Sequence, residues 1–258
     1  LVNRGDGSFA DRTVESGTGD PGWSVPAVFF DADADGREDL YVGNYVEYSV
    51  AADRACFSAT GARDYCGPTA YPGASDRLYR NLGGGRFEDV STASGIGRRG
   101  RPLGALALEI DRRPALYVAN DGEPNYLWVS RGGGRFVEGA LAAGAAVDLE
   151  GRPQASLGVD AGDYARDGDD DLVVTHLAGE ATTLYRADDG ARFVDRSRRA
   201  GIAAATLSTT GFGVGWIDVD GDGWLDLVGV NGAVKRRPEQ VAAGVAHPLE
   251  EAKQLLRN

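Results

Sequence analysis

A chain of 258 residues with 39 acidic and 27 basic side chains carries a formal net charge of -12. Its 42% hydrophobic content is enough for a core, which excludes a disordered chain, and its 38 Gly and 10 Pro keep no collagen period. The acidity argues against nucleic acid and anionic membrane surfaces as partners, and no apolar run is long enough to insert in a membrane as a helix. No Met occurs, even at position 1, so a mature product or a fragment is expected.

Leu1-Val2-Asn3 reads as the end of a strand from a preceding blade. Asn3 to Asp11 then gives strand, tight glycine turn, strand, with Phe9 in the second strand. Arg4-Gly5-Asp6 spells RGD, but it lies inside this turn, where turn chemistry accounts for it. Trp23, beside Pro21-Gly22, is an exposed candidate for stacking on a ligand. Val28-Phe29-Phe30 leads into the acidic run Asp31 to Asp39, and Leu40-Tyr41-Val42 leads out. This is a second kind of hairpin, closed by an acidic loop.

An insertion at about 45–75 interrupts the repeat and holds both cysteines, Cys56 and Cys66. Their number and spacing exclude a Cys-rich zinc module. They read as a local disulfide closing a surface loop, or as two reduced thiols in an intracellular protein. Leu78-Tyr79-Arg80 and the Gly83-Gly84-Gly85 turn then return to the first phrase, ending in Phe87. Glu109 to Val118 occupies the acidic-loop place but has lost most of its acids. Leu127-Trp128-Val129 and Gly132-Gly133-Gly134 repeat the glycine hairpin, ending in Phe136.

Asp163 to Asp171 is the second acidic loop, followed by Leu172-Val173-Val174. His176 falls where other units place Asn44, Asn120 and Asn231, so it reads as a shared turn position and not as a catalytic base. Leu184-Tyr185-Arg186, Asp189-Gly190 and Phe193 form the fourth glycine hairpin. Trp216 and Trp128 lie in apolar strands and read as core. Asp218 to Asp226 is the third acidic loop, with Trp224 exposed inside it. A segment at about 236–253 reads as irregular and partly helical, with Val241, Val245 and Leu249 apolar and His247 before Pro248. Gln254 to Asn258 reads as the opening of another blade.

The repeat Phe residues 9, 87, 136 and 193 stand 78, 49 and 57 apart. Two hairpins per unit of that size make a four-stranded antiparallel blade. The expected fold class is therefore all-β: a single β-propeller domain over 1–258, with about four repeat units present. It is expected to be part of a larger ring of about seven blades, or to close by self-association of two copies, because an open arc exposes sheet edges.

The acidic loops follow D-x-D-x-D-G-x-x-D. Alternate carboxylates converge in a tight turn, and Gly at the sixth position permits the reversal. Such a set of hard oxygen donors suits Ca²⁺. Asp31, Asp33, Asp35 and Asp39, with the Arg37 carbonyl, make one full site. Asp218, Asp220, Asp222 and Asp226, with the Trp224 carbonyl, make another. The middle loop offers Asp163, Asp167, Asp169 and Asp171 but has Ala165 at the third position, so a weaker site is expected there. The three loops hold 14 acids and two bases, and the remaining 231 residues are neutral. The charge of -12 is thus a property of the loops, which weakens the case against polyanionic partners.

These alternating phrases resemble the FG-GAP or VCBS repeats of integrin-α-like β-propellers. A narrower resemblance is to the bacterial relatives of cartilage acidic protein, the ASPIC/UnbV-associated group. It rests on Tyr65-Cys66-Gly67-Pro68, Tyr71-Pro72-Gly73, Asp76 to Asn81, Phe87 to Ser91 with Ser94-Gly95-Ile96, and Asn231-Gly232. The resemblance implies a secreted protein, extracellular or periplasmic, with calcium in its loops. The chain departs from the family in having four units, one without a metal loop.

The expected function is a non-catalytic, Ca²⁺-binding module that presents the insertion to a protein or carbohydrate ligand. The alternative is a propeller enzyme: a lyase, hydrolase or cyclase working on the propeller face. No GxSxG, HExxH or phosphate-cradling glycine loop favours it.

Overall fold

Among the described residues, three four-stranded antiparallel sheets and a three-stranded one follow one another in chain order, beside three two-stranded pairs. The computed structural model describes residues 1–58, 61–188, 191–236, 240 and 242–258. Sheet one comprises β1 (Ser24–Phe30), β2 (Asp39–Asn44), β3 (Arg77–Gly83) and β4 (Arg86–Asp89). Sheet two comprises β5 (Pro102–Ile110), β6 (Arg113–Asn120), β7 (Tyr126–Ser130) and β8 (Phe136–Glu138). Sheet three comprises β9 (Val159–Gly162), β10 (Asp171–Val174), β11 (Thr183–Ala187) and β12 (Phe193–Asp195). Sheet four has β13 (Gly211–Ile217), β14 (Asp226–Asn231) and β15 (Gln254–Leu256). Each sheet is a meander, its strands paired in sequence order.

The acidic loops join the first and second strands of sheets one, three and four. The last pairs before each loop are Phe30 with Asp39, Gly162 with Asp171, and Ile217 with Asp226. In sheet two the same place is a two-residue turn, with Ile110 opposite Arg113. Asp111 and Arg112 there have φ of 51° and 59°, the left-handed pair that a tight hairpin turn demands. The later glycine turns join the third and fourth strands of sheets one to three, so each sheet begins with its acidic-loop hairpin and not, as the repeat order suggests, with its glycine hairpin. Asp189 and Gly190 of the last turn lie outside the described residues.

Successive sheets pack face to face, and their first strands β1, β5, β9 and β13 neighbour one another in order. This is the arrangement of propeller blades. Because side chains alternate along a strand, one strand serves two cores. Leu116 and Val118 of β6 pack with Phe30, Tyr41 and Leu78 of sheet one. Tyr117 and Ala119 of the same strand pack with Leu172, Val174 and Tyr185 of sheet three. Val173 of β10 turns the other way, toward Leu227 of sheet four. Burial on both faces is why these strands read as continuous apolar runs and not as alternation.

One expectation about the chain's last strand changes. Gln254–Leu256 does not open another blade: it is β15, pairing Leu227 with Leu256 and Gly229 with Gln254. Residues 237–239 and 241, including Pro238 and Val241, lie outside the described residues. Among the described part of that segment, Val245 N–H donates to the Gln240 carbonyl and Gly232 bridges Glu250. The insertion leaves after β2 and returns at β3, as the spacing predicts. Val46 pairs with Gly73 at its neck, and a disulfide joins Cys56 to Cys66 across a small hairpin, Cys56–Phe57 with Arg63–Asp64.

Candidate functional site

The three acidic loops share one backbone shape. The first Asp accepts two or more backbone N–H bonds and so wraps the loop around itself. Asp31 takes those of Asp35 and Gly36, at 3.0 and 2.8 Å. Asp163 takes those of Asp167 and Gly168, at 2.9 and 3.0 Å. Asp218 takes those of Gly221, Asp222 and Gly223. The sixth residue is left-handed in all three, with φ of 85° at Gly36, 95° at Gly168 and 87° at Gly223.

The fourth residue is left-handed too, at Ala34 (φ 63°), Arg166 (φ 56°) and Gly221 (φ 73°). Sequence reasoning missed this second reversal, for which Gly221 was the one signal. A non-glycine residue in that region costs about 1 kcal/mol. Ala34 is exposed, so nothing packs on its methyl. Ala34→Gly is therefore expected to raise stability by about 0.5 kcal/mol, after the entropy glycine adds to the unfolded chain. Chemical denaturation of the two proteins measures it.

In two loops the carboxylates converge. Oxygens of Asp31, Asp33 and Asp39 lie within 4.8 Å of one another, as do those of Asp218, Asp220 and Asp222. Among the described residues the 163–171 loop makes no such group; Ala165 stands where its third carboxylate would be. Asp35 is turned to its neighbour Arg37, and Asp167 to Arg186 at 2.7 Å. The Arg186 guanidinium holds the Asp167 carboxyl below its usual range. Arg257 pairs with Asp220.

The ninth Asp has a role that the sequence did not show. Asp39 accepts from the Ala32 and Asn81 N–H groups, at 3.1 and 2.7 Å. Asp171 accepts from Ala165 and Ala187, and Asp226 from Val219 and Asn258. Each buried ninth Asp thus staples its loop to the end of the third strand in its own sheet. Burial outweighs those bonds and pushes the Asp39 and Asp171 carboxyls up. A carboxylate oxygen bonded once still has a lone pair for a cation.

Of the other candidates, Trp128 is buried in the core and Trp216 stacks on Tyr164 at 5.4 Å. Trp23 and Trp224 are exposed, and the Arg166 guanidinium lies 4.9 Å from the Trp224 ring. Trp23, Tyr48 and Tyr71 form an edge-to-face row at the insertion, with centroids 5.6 and 5.4 Å apart. Arg4-Gly5-Asp6 is held by its turn, where Asn3 and Asp6 side chains accept from the Gly5 and Ser8 N–H groups. His176 is fully buried with Nε2 at 3.1 Å from Thr183 Oγ1, and burial lowers its pKa to about 3, which leaves it neutral.

One buried acid escaped the sequence reading. Asp76 accepts from Tyr41 Oη at 2.7 Å and from the Asn44 N–H at 3.0 Å. Sheet two builds the same node with an amide: Asn125 Oδ1 accepts from Asn120 N–H, and its Nδ2 donates to Tyr117 Oη, both at 2.9 Å. Burial pushes the Asp76 carboxyl up to about 7, against the lowering by those two bonds.

Residues 163–229 match the family described as FG-GAP-like repeat, a stretch that runs from the second acidic loop through the third. No curated protein matches the chain. A solved structure titled as BBS1N in complex with ARL6DN, soaked with lead, is similar at 11% identity and a TM-score of 0.41. The likeness covers 91% of this chain and 58% of that one. Among the described residues, no helix is long and apolar enough to cross a membrane.

Proposed function

We propose that this protein is a non-catalytic, Ca²⁺-binding propeller module that displays the disulfide-closed insertion to a protein or carbohydrate partner outside the cytoplasm. The observation that carries the reading is the convergence of three carboxylates in each of two loops of the same shape. The residues fit a hard divalent cation: all donors are oxygen, and both loops already have the reversals that close a small ring. Asp31, Asp33, Asp35 and Asp39 would hold one ion with the Arg37 carbonyl. Asp218, Asp220, Asp222 and Asp226 would hold another with the Trp224 carbonyl. Asp163, Asp167, Asp169 and Asp171 would hold a third more weakly.

The ion's chemistry here is charge neutralisation. The chain's own groups fix the loops, through the backbone bonds to the first and ninth Asp. Support for the compartment comes from the disulfide, which persists in oxidising surroundings. The edge-to-face row of exposed Trp23 and Tyr48 with half-buried Tyr71 supports the insertion as the contact surface, since rigid aromatic faces on a firm scaffold serve protein and sugar recognition alike.

Terbium tests the metal reading directly, because Tb³⁺ replaces Ca²⁺ and is sensitised by a nearby indole. Excitation of the chain with Tb³⁺ is expected to give lanthanide emission from the loop holding Trp224, which Ca²⁺ quenches by competition and Trp224→Leu abolishes. Absence of emission, or emission that excess Ca²⁺ leaves unchanged, contradicts the reading.

A further inference from the structure

We propose that a cavity at the end of sheet three away from the acidic loops binds a small phenolic ligand, whose ring takes the place that a tyrosine fills in sheet two. The inference is independent of calcium and of the insertion.

The second and third strands of each sheet join at that end, and the chain crosses there from one sheet to the next. At sheet three it leaves a cavity of about 450 Å³, a size usual for small-molecule sites. Its walls include Arg152, Pro153, Gln154, Glu180, Thr183 and Asp195.

The strand register says what stands at this place in sheet two. Val118 pairs with Tyr126 as Val174 pairs with Thr183, so Tyr126 opens β7 where Thr183 opens β11. Val118 also pairs with Ala105 and Val174 with Val159, which aligns residues 98–105 with 152–159. Trp128 pairs with Glu138 as Tyr185 pairs with Asp195. The Tyr126 ring is buried there, and its Oη donates to the Arg99 carbonyl at 2.7 Å. The Arg98 guanidinium lies 4.9 Å from the ring centroid and pairs with Glu138 at 3.6 Å. Glu123 also acts on the phenol. Arg98, Arg99, Glu123 and Glu138 correspond to Arg152, Pro153, Glu180 and Asp195, and all four of these line the cavity. The groups that surround a phenol in sheet two thus surround an open space in sheet three.

Two changes open that space. Sheet two sets Tyr126 against Gly100, where an added methyl would meet Tyr126 Cε2 at 3.0 Å. Sheet three has Thr183 and Gln154 instead, and Thr183 Oγ1 donates to Gln154 Oε1 at 3.2 Å. A free ring is not tied to β11, so it can sit clear of the Gln154 side chain by the fraction of an ångström that a Cβ needs. The second change is an added turn, because ten residues separate Gly144 from Gln154 where five separate Gly95 from Gly100. Asp148, Leu149 and Glu150 of that turn form a further wall. Asp148 accepts from the Glu150 and Arg152 N–H groups at 3.0 and 2.8 Å, and Glu150 pairs with Arg198 at 2.7 Å. The wall is therefore fixed before a ligand arrives, which lowers the cost of binding.

Sheet one fills the same place with a cation. Arg77 opens β3 there and lies between Asp20 and Asp89, at 3.4 and 3.7 Å. Asp20 corresponds to Arg152 in sheet three, so a cationic ligand would meet a like charge. A phenol meets the guanidinium with its ring face, a contact that leaves the Arg152 edge to Asp148 at 3.0 Å. Its hydroxyl donates to the Pro153 carbonyl, as Tyr126 does to that of Arg99.

Titration calorimetry with p-cresol, the tyrosine side chain as a free molecule, is expected to give one site with a dissociation constant of about 1 mM. N-acetyltyrosinamide separates the sources: tighter binding than p-cresol points to a tyrosine in a peptide, and weaker binding to a free phenol. 4-Methylcyclohexanol has the shape and the hydroxyl without the ring face, and is expected to bind at least about 10-fold more weakly. The Gln154→Gly, Thr183→Tyr double variant rebuilds the sheet-two pair and is expected to abolish the heat with its circular dichroism unchanged. Should it fail to fold, Arg152→Met decides, with an expected weakening of about 5-fold. No heat with p-cresol at about 10 mM overturns the proposal. So does binding that Arg152→Met leaves unchanged, or binding of methylguanidinium in place of p-cresol.

Discussion

Millimolar Ca²⁺ is expected to raise the melting temperature of this protein by about 10–20 °C over the same protein in EDTA. On the proposed reading the two loops with converged carboxylates would bind Ca²⁺ in the folded state alone, because the unfolded chain has no such convergence. At a free concentration 100-fold above the dissociation constant each site contributes about 2.7 kcal/mol, or about 5 kcal/mol together. In a domain of this size each kcal/mol moves the melting point by about 2–4 °C. Asp33→Asn and Asp220→Asn should each remove about half of the shift. Neither should lower stability in EDTA much, since an amide oxygen still accepts the N–H bonds of Asp35 and Asp222. Calorimetric melts of the three proteins with and without Ca²⁺ measure both effects.

Replacing Asp76 by Asn should stabilise the protein by about 3 kcal/mol at pH 8 and leave it nearly unchanged at pH 4. The folded pKa of about 7 stands above the ordinary carboxyl value of 3.8. Between these two values the folded state holds a proton that the unfolded state has released. Stability therefore falls as pH rises from about 4 to 7 and is level above that. The gap of about 3 units corresponds to about 4 kcal/mol at most, which relaxation reduces. Asn cannot ionise, so the variant's stability should lose this slope. The substitution is one the molecule has already made: Asn125 holds the equivalent node in sheet two, with Tyr117 and the Asn120 N–H in place of Tyr41 and Asn44. Urea denaturation of both proteins from pH 4 to 8 gives the two slopes. A parallel pair would show that Asp76 is not the titrating group.

The blade pattern was legible in the sequence because both of its turns need unusual residues. The triple glycines at 83–85 and 132–134 and the D-x-D-x-D-G runs fix where the chain reverses, and the apolar runs between them fix the strands. Where one sheet ends and the next begins was less visible. Leu255-Leu256-Arg257-Asn258 resembles Leu78-Tyr79-Arg80-Asn81, and such a phrase opens a hairpin in sequence. In space it is the third strand of a sheet already begun, which only pairing to β14 reveals.

The loops show the same limit. Carboxylate spacing pointed to carboxylates brought together, which the structure shows in two loops, but the ninth Asp reads as a ligand from spacing alone. Its two backbone bonds come from residues 7 positions before it in Asp39 and 42 after it. Asp76 sat at the end of an insertion that matched no repeat, and its correspondence with Asn125 appears only when both are seen under a tyrosine.

Isothermal titration of Ca²⁺ into the chain tests the central claim most directly. Two sites of similar affinity and a weaker third are expected, and the Asp33→Asn, Asp220→Asn double variant should retain the weak heat alone. No heat at millimolar Ca²⁺, or a double variant that binds as the parent does, would contradict the account.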